Sequence, residues 1–189
     1  MADRLTGVLL DAQTAAALDV HGRVNAAVLV PLYVRDDEVH GVFTKRRGDL
    51  RRHAGEISFP GGRQDHPEEN LAQTALREAQ EEIGLAPAGV QLVGALQPIP
   101  TIATSYAVYP FVGLIEPGNT WTPSAGEVEA VLEFSLGDLR AGYDRRRLVR
   151  RGIPIRTDTF VVGEHLIWGA TARILSDLLE RLGPPLVVP

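Results

Sequence analysis

The sequence contains no cysteine among its 189 residues. This absence excludes disulfide bonds, thiol catalysis and metal centres that cysteine would bind. Long hydrophobic runs are lacking too, because no apolar run approaches the ~20 residues that span a bilayer. The apolar run near the amino terminus is interrupted at Asp11 and is not typical of a signal peptide. We therefore expect a cytoplasmic protein without a membrane partner.

An excess of positive charge is also absent, since the formal net charge is −5. Nucleic-acid-binding proteins usually show a strongly basic surface, so we expect a small molecule rather than nucleic acid as the partner. Hydrophobic residues make up 44% and charged residues 23% of the chain, which is typical of a globular protein. The length suits one domain, residues 1–189, with its own hydrophobic core. Composition does not determine the oligomeric state.

Strands and helices are predicted to alternate along the chain. Two strands, over residues 23–35 and 38–46, flank a tight turn at Asp36 and Asp37. Pro110 favours an edge position or a bulge for the strand that contains it. The pattern predicts an α+β fold in which helices cover a sheet, an α/β/α sandwich. Further strands are predicted over 90–101, 105–116, 127–136 and 159–163, and helices over 8–18, 69–83 and 167–182.

The stretch FPGGRQDHPEENLAQTALREAQEEIGL, residues 59–85, concentrates glutamates on one predicted helix. Glu78, Glu81 and Glu82 are spaced three and four residues apart or adjacent, so they lie close together on one side. At ~100° per residue, Glu78 and Glu82 border the apolar stripe and Glu81 lies farther round. Partly desolvated carboxylates repel each other, and a hard divalent cation such as Mg2+ or Mn2+ offsets both penalties. The stripe consists of Ala72, Ala75, Leu76, Ala79 and Ile83.

A solvated acidic helix face, in which Arg77 pairs with Glu81, is the alternative interpretation. The context favours a site. Gly61 and Gly62 precede the helix and can adopt backbone conformations closed to other residues, which brings a carbonyl or an amide close to a ligand. Glu69 stands near the helix start, where a carboxylate interacts favourably with the helix dipole. Arg77 can bond to its neighbours and fix the glutamates.

The same stretch resembles the box of the Nudix hydrolase superfamily, G-x5-E-x7-R-E-U-x-E-E-x-G-U, in which U is an aliphatic residue. The stretch departs from this pattern in two ways. Six residues rather than five separate Gly62 from Glu69, and Ala79 is small for the aliphatic position. The extra residue falls in the loop before the helix, so the spacing among the later glutamates is unchanged. The matching positions, 62–85, are Gly62, Glu69, Arg77, Glu78, Ala79, Glu81, Glu82, Gly84 and Leu85.

The resemblance implies a Nudix fold, with a mixed sheet between helices, and metal-dependent hydrolysis of a nucleoside diphosphate linked to another group. It implies that Glu78 and Glu82 are the principal metal ligands. Glu81 would be a further ligand or would orient the water, and the Gly62 carbonyl would complete the metal shell. A metal ion neutralises pyrophosphate oxygens and lowers the pKa of a bound water. A glutamate can then take the proton from that water.

Residues 44–62 resemble the signature of coenzyme-A-type Nudix hydrolases, although Arg47 stands where a small residue is usual. Coenzyme A carries a pyrophosphate and a 3′-phosphate, and arginine side chains suit phosphate oxygens. A solvated basic loop, or salt bridges to the acidic helix, is the alternative. We expect substrate contacts from Arg46, Arg51, Lys45 and Gly61. The matching positions are Thr44, Arg46, Arg51, Gly55, Phe59, Pro60, Gly61 and Gly62.

Other charged and aromatic residues are less informative. Glu127 is a candidate catalytic residue because Nudix enzymes often take one acidic residue from outside the box. Glu129 is its rival, since two residues on a strand share a face, and a plain surface glutamate is the alternative. The arginine run at 145–151 predicts an exposed hairpin, with contact to nucleic acid or acidic lipid as the alternative. Trp168 is expected to pack rather than to stack on a base.

The two resemblances together imply a coenzyme A or acyl-coenzyme A pyrophosphatase. The expected products are adenosine 3′,5′-bisphosphate and (acyl-)4′-phosphopantetheine. Catalytic roles are expected for Glu78, Glu81 and Glu127, with Mg2+ or Mn2+ as the cofactor. One alternative is a Nudix hydrolase for ADP-ribose, a dinucleoside polyphosphate or an oxidised nucleotide. The other is a non-catalytic Nudix domain that binds nucleotide or RNA.

Overall fold

The computed structural model describes residues 1–66, 68–101, 105–150 and 152–183. Within these ranges the helices are α1 (Ala2–Thr6), α2 (Ala12–Ala16), α3 (Leu71–Ile83), α4 (Leu136–Ala141) and α5 (Gly169–Leu182). The strands are β1 (Val24–Arg35), β2 (Glu38–Arg46), β3 (Ile57–Ser58), β4 (Gly61–Arg63), β5 (Gln91–Ala95), β6 (Ile99–Pro100), β7 (Tyr106–Leu114), β8 (Val128–Ser135), β9 (Tyr143–Arg150), β10 (Ile153–Val162) and β11 (His165–Trp168).

The larger sheet is mixed. Its strand order is β3-β2-β1-β7-β5, and β4, β6 and β8 pair with β1, β7 and β2, respectively. The pairing of β1 with β7 is parallel, from Val24 opposite Tyr106 to Leu32 opposite Leu114. The other pairings in this sheet are antiparallel. Strands β9, β10 and β11 form a second, antiparallel sheet.

Side chains of β1 alternate between two hydrophobic layers, because successive residues of a strand point to opposite faces. Val30 and Leu32 face the layer that contains α1, α4, α5 and the second sheet. Leu29 and Tyr33 face the layer that contains α2 and α3. Helices therefore cover both faces of a mixed sheet, which confirms the predicted α+β sandwich. No helix in the described ranges is both long enough and apolar enough to span a bilayer.

The predicted hairpin between β1 and β2 is confirmed. Asp36 and Asp37 have φ values of 52° and 60°. Two central residues with positive φ are typical of a type I′ turn, whose twist matches that of the flanking strands. Arg35 accordingly lies opposite Glu38 at the end of the ladder. This register fixes which face of β2 each later side chain occupies.

The helix predicted over 8–18 is wrong in extent. Leu10 instead forms an isolated antiparallel bridge with Ala95, through hydrogen bonds of 2.9 and 2.8 Å between their main-chain N and O atoms. Asp11 then caps α2, because its side chain accepts hydrogen bonds from the amides of Gln13 and Thr14. The apolar period of residues 8–18 therefore extends across a bridge and one short helix, α2.

Two other expectations also need correction. The last helix begins at Gly169 rather than Ile167, because Ile167 and Trp168 pair with β10 as the end of β11. The strand β7 is not at an edge, since β1 lies on one side of it and β5 and β6 on the other. Pro110 lies where the antiparallel partner changes from β5 to β6, and its carbonyl accepts a hydrogen bond from the Leu96 amide. The lost proline donor therefore falls at an interruption of the ladder.

Residues 145–150 of the basic run that is predicted as an exposed hairpin lie in β9. β9 pairs with β10 in an antiparallel ladder, and Arg145, Arg146 and Arg147 are exposed. Arg151 lies outside the described residues. The predicted hairpin is therefore confirmed for the described part of the run.

Candidate active site

The helix α3 is fixed at both ends, which sets the position of its glutamates. Asn70 caps the start and forms a capping box with Gln73, with two hydrogen bonds of 2.9 Å between side-chain and main-chain atoms. Such a box satisfies two amides that the first turn leaves unpaired. Gly84 ends the helix at φ 75°, a conformation that favours glycine. The helix therefore begins two residues after the predicted Glu69.

The short strand β4 brings the two motif glycines against α3. It pairs with β1, with Gly61 opposite Val28 and Gly62 opposite Ala27. A Cβ atom on Gly62 would collide with the Glu78 carboxylate, and one on Gly61 would collide with the Ala27 carbonyl oxygen. Neither glycine is among those with positive φ. The expectation of a special backbone conformation is therefore wrong, and lack of space is what requires glycine here.

Glu82 is buried, with 6% of its surface exposed. Its Oε2 atom accepts a hydrogen bond of 3.2 Å from the Gly61 amide, and its Oε1 atom lies 3.7 Å from Nη1 of Arg46. Burial raises the pKa of Glu82 to about 7, although Gly61 and Arg46 oppose the shift and the charges of Glu78 and Glu127 add to it. A carboxylate with this pKa can exchange a proton near neutral pH.

Glu78 is half-buried and Glu81 is exposed, as helical geometry predicts. Nη1 of Arg77 lies 2.9 Å from Oε1 of Glu78 and 3.3 Å from Oε2 of Glu81. Burial raises the pKa of Glu78, although the hydrogen bond and the charge of Arg77 oppose the shift. Glu78 and Glu82 thus form the desolvated edge of the helix.

Arg77 connects the glutamates of α3 to the residues before the helix. Its Nε atom donates a hydrogen bond of 3.0 Å to Glu69, and its Nη2 atom donates one of 3.1 Å to the Arg63 carbonyl. Burial opposes ionisation of Glu69, but hydrogen bonds from Arg77 and Thr74 outweigh it and lower its pKa. The predicted role of Arg77 in fixing its neighbours is confirmed. The Arg77–Glu81 pair of the alternative interpretation is only one of its contacts.

Arg46 joins the basic segment to the glutamates. Its side chain lies between Glu82 and Glu127, with an Nη1 to Oε2 distance of 3.5 Å to Glu127. Its Nε atom is buried and has no hydrogen-bond partner among the described residues. A buried donor without a partner is unusual in proteins. Arg46 therefore keeps hydrogen-bonding capacity beside Glu82 that the described residues do not satisfy.

Glu127 and Glu129 do not share a face as predicted. The register between β2 and β8 shifts, so that Ala130 lies opposite Lys45 and Val128 lies opposite Arg46. Glu129 is the extra residue of this bulge, which reorients the chain. Its Oε1 atom lies 2.7 Å from Nζ of Lys45, whereas Glu127 contacts Arg46. Glu127 is thus the member of the pair beside Glu82.

The structure brings together only part of the predicted substrate-binding set. Lys45 points to the opposite face of β2 from Arg46, towards Glu164, whose charge helps raise the pKa of Lys45 after the hydrogen bond and charge of Glu129. Arg51 is exposed, and no hydrogen bond or ion pair joins it to other described residues. The substrate roles of Lys45 and Arg51 remain predictions. The residues that meet at the site are Arg46, Gly61, Gly62, Glu78, Glu81, Glu82 and Glu127.

No motif predicts that the segment between β7 and β8, residues 115–127, contributes to this site. The amides of Thr122 and Ser124 donate to the carbonyls of Ile83 and Glu82, at 3.0 and 2.8 Å. They satisfy main-chain acceptors that the end of a helix leaves unpaired. The cluster of threonine, proline, serine and glycine at 120–126 is a loop signal. It does not indicate which helix the loop contacts.

The donor set at this site fits a hard cation. Glu78 and Glu82 supply carboxylate oxygens, which Mg2+ and Mn2+ prefer, and the missing side chain of Gly62 makes space for the Glu78 carboxylate itself. Within the described ranges no three acidic or histidine side chains are arranged as a metal cluster. Arg46 and Arg77 lie against the carboxylates instead. A cation held by Glu78 and Glu82 would therefore have to replace these arginine contacts.

Comparison with known proteins agrees with this geometry. Residues 23–152 match the model of the NUDIX domain family. Over 160 residues the chain is 39% identical to the uncharacterized Nudix hydrolase NudL of Salmonella paratyphi B, which covers 84% of this chain and 82% of that protein. NudL of Salmonella newport matches with the same identity and coverage.

Solved structures show the same fold. A MutT/nudix family protein from Enterococcus faecalis has a TM-score of 0.57 at 14% identity, over 84% of this chain and 61% of that chain. The NUDIX domain of Shewanella oneidensis NrtR, crystallised with ADP ribose, has a TM-score of 0.52 at 18% identity, over 68% and 85%. Nudix hydrolases generally use divalent cations. The chain therefore belongs to the Nudix family and is an enzyme of the Nudix pyrophosphatase type.

Proposed function

We propose that this enzyme hydrolyses the pyrophosphate bond of coenzyme A or an acyl-coenzyme A. The products would be adenosine 3′,5′-bisphosphate and (acyl-)4′-phosphopantetheine. One observation supports the proposal most directly: Arg46, from the segment that resembles the coenzyme-A-type signature, lies between Glu82 and Glu127. The two sequence motifs therefore meet at one pair of carboxylates.

The proposed cofactor is Mg2+ or Mn2+, held by Glu78 and Glu82, with Glu81 and the Gly62 carbonyl as further ligands. A bound divalent cation would neutralise pyrophosphate oxygens and lower the pKa of a bound water. The chain itself holds the carboxylates in place. Arg77 orients Glu78 and Glu81, while the Gly61 amide orients Glu82.

The proposed proton acceptor is one of the glutamates beside Arg46. Glu127 is exposed and reaches Arg46 from outside the helix, so it can approach a substrate without leaving its strand end. Glu81 is the other candidate, because it is exposed on α3. In either case Arg46 would stabilise negative charge that develops on the leaving phosphate.

The remaining substrate contacts are proposed from the basic segment. Arg51 lies exposed near Arg46 in sequence and would bind the 3′-phosphate, since an arginine fork suits phosphate oxygens. Lys45 would contact a part of the substrate that reaches the other face of β2. Residues 1–189 would form one domain. A small-molecule partner, a cytoplasmic location and the absence of nucleic-acid or membrane partners are further predictions from composition.

The test is hydrolysis of a substrate panel with Mg2+, with Mn2+ and with a chelator. The panel contains coenzyme A, an acyl-coenzyme A, dephospho-coenzyme A, ADP-ribose, a dinucleoside polyphosphate and an oxidised nucleotide, with products separated by chromatography. We expect cation-dependent release of adenosine 3′,5′-bisphosphate and the highest kcat/KM for coenzyme A or its acyl form. Faster cleavage of another member would overturn the substrate assignment. Binding without turnover of any member would indicate a non-catalytic domain.

Two neighbouring arginines provide a matched pair for the phosphate contact. Arg51 belongs to the motif and Arg52 does not, and both are exposed. We expect Arg51→Gln to lower kcat/KM for coenzyme A roughly tenfold and to leave dephospho-coenzyme A little affected. Arg52→Gln should change neither value appreciably. Equal effects of the two substitutions would contradict the assignment of Arg51 to the 3′-phosphate.

A further inference from the structure

The segment at residues 115–127 contacts the carboxyl-terminal end of α3 at two points. The Ser124 amide donates to the main-chain carbonyl of Glu82, and the Thr122 amide donates to that of Ile83. A Cβ atom on Gly84 would lie 3.0 Å from Cβ of Thr122, so the segment also packs closely against the helix cap. The backbone of Glu82 is therefore held by this segment as well as by its own helix.

The far end of the segment reaches the other carboxylate of the site. Nη1 of Arg47 donates a hydrogen bond of 2.8 Å to the Ala125 carbonyl, and the Arg47 amide donates one of 2.9 Å to the Glu127 carbonyl. Glu127 then contacts Arg46. One continuous segment thus positions Glu127 and the backbone of Glu82 relative to each other.

The middle of the segment is tied to the sheet by one side chain. Nε1 of Trp121 donates a hydrogen bond of 2.7 Å to Oε1 of Glu133 on β8. The other oxygen of Glu133 accepts hydrogen bonds from Tyr33, at 2.5 Å, and from Arg35, at 3.2 Å. Three donors from two parts of the chain therefore hold the Glu133 carboxylate. Tyr33 and Arg35 hold the Glu133 side chain against β1. The hydrogen bond from Trp121 then holds the segment to Glu133.

We propose that Trp121 and Glu133 are positioning residues of the active site, which hold the segment so that Ser124 fixes Glu82 and Glu127 reaches Arg46. This inference rests on the proposed catalytic roles of Glu82 and Glu127. Neither Trp121 nor Glu133 contacts the site carboxylates in the described hydrogen bonds and ion pairs. They act through the backbone of the segment, whose amide at Thr122 directly follows Trp121.

Trp121→Phe and Tyr33→Phe form a matched pair for the test. Each substitution removes one neutral donor to Glu133 and keeps an aromatic ring, but only Trp121 connects Glu133 to the segment. We expect Trp121→Phe to lower kcat about tenfold or more with a smaller change in KM, because small displacements of reacting groups greatly reduce rates. Tyr33→Phe should lower thermal stability and leave kcat within about twofold, because Arg35 still holds Glu133 and Trp121 still connects Glu133 to the segment.

Amide hydrogen exchange supplies a readout that does not depend on turnover. Trp121→Phe should accelerate exchange at Thr122 and Ser124, and Tyr33→Phe should not. In a Glu127→Gln background, Trp121→Phe should reduce kcat less than it does alone, because part of its effect operates through Glu127. Equal effects of Trp121→Phe and Tyr33→Phe on kcat, or unchanged exchange at both amides, would overturn the inference.

Failure of the proposed function would look different. In that case the wild-type enzyme would cleave another member of the substrate panel faster than coenzyme A, or would cleave none, while exchange at Thr122 and Ser124 would still decide whether Trp121 holds the segment. Should Trp121→Phe melt below the assay temperature, Glu133→Gln tests the same contact from the other side. It keeps the side-chain size and removes the charge to which Trp121 and Arg35 bond. We expect Glu133→Gln to lower kcat and to accelerate hydrogen exchange at the Thr122 and Ser124 amides. Wild-type values of kcat and of the exchange rates would refute the inference.

Discussion

Glu82 and Glu133 are both partly or fully buried beside the same layer of the protein, but their surroundings differ. Glu133 accepts hydrogen bonds from Tyr33, Arg35 and Trp121. Among the described residues, Glu82 accepts one, from the Gly61 amide, and faces Arg46 at a longer distance. Both oxygens of Glu133 therefore accept hydrogen bonds. Only one oxygen of Glu82 accepts a hydrogen bond among the described residues.

The two pKa values shift in opposite directions for this reason. Burial opposes ionisation of Glu133, but hydrogen bonds from Tyr33 and Trp121, with the charge of Arg35, lower its pKa. Burial of Glu82 prevails over Gly61 and Arg46 and raises its pKa to about 7. Donor number therefore distinguishes a carboxylate that holds the fold from one that remains available for chemistry.

The largest effect is expected from Glu82→Gln, which tests the contrast between Glu82 and Glu133 through the loss of activity. The substitution keeps the side-chain size and removes the charge, so we expect turnover to fall about a thousandfold while the fold is retained. Steady-state kinetics with coenzyme A and circular dichroism provide the measurement. Glu129→Gln is the matched control, because Glu129, the extra residue of the bulge, is paired with Lys45 and not with Arg46. A wild-type rate for Glu82→Gln would remove Glu82 from the mechanism.

The same substitution should stabilise the protein at higher pH when a chelator removes divalent cations. Glu82 titrates near 4.5 in the unfolded chain and near 7 in the folded chain, so the folded protein binds the proton more tightly. Stability from this group is complete below about pH 4.5 and is lost as the pH rises to about 7. Relative to Glu82→Gln, the wild-type free energy of unfolding should fall by roughly 3 kcal/mol across this window.

Urea unfolding at about pH 5 and about pH 8 measures this change in both proteins. Parallel pH profiles for wild type and Glu82→Gln would mean that Glu82 has an ordinary pKa. At the higher pH, added Mg2+ should make the wild type more stable than Glu82→Gln, because only the wild type would then gain binding free energy.

A smaller effect is expected from filling the space beside Glu78. Gly62→Ala places a Cβ atom where the Glu78 carboxylate lies, so Glu78 must move. We expect kcat/KM to decrease roughly tenfold and the Mg2+ concentration for half-maximal activity to rise. Gly89→Ala is the control, since a Cβ atom there meets no described atom within 4 Å. Similar kinetics for the two alanine variants would show that Glu78 tolerates displacement.

The smallest effect on the free energy of unfolding should come from Glu133→Gln, and its dependence on pH should be opposite to that of Glu82. The folded-state pKa of Glu133 is lowered from 4.5, so its contribution to stability is present above about pH 4.5 and disappears as the pH falls. We expect a deficit of about 1 kcal/mol near neutral pH that vanishes in acid. Urea unfolding near neutral pH and in acid measures it. A deficit that grows in acid would contradict the assigned shift.

Much of the fold and half of the site follow from local patterns. The strand, turn and strand of β1 and β2, the apolar stripe of α3 and the spacing of its glutamates are properties of consecutive residues, and each is confirmed. The isolated bridge between Leu10 and Ala95 is a contact between distant residues and has no local signal. The bulge that separates Glu127 from Glu129 likewise depends on how β8 meets β2. No sequence motif identifies Trp121 and Glu133, because their contacts join segments that are separated in the chain.

The parallel pairing of β1 with β7 has a consequence for how the protein is made. Val24 lies opposite Tyr106, so the two strands at the middle of the sheet are separated by 82 positions, the difference of those two numbers. Pairing over such a separation is slow because the connecting chain must first be ordered. During synthesis, α3 therefore leaves the ribosome before the strand that completes the sheet beneath it. Until β7 follows, β1 in the nascent chain lacks its parallel neighbour and exposes an unpaired edge, and chaperones are the expected protection for this interval.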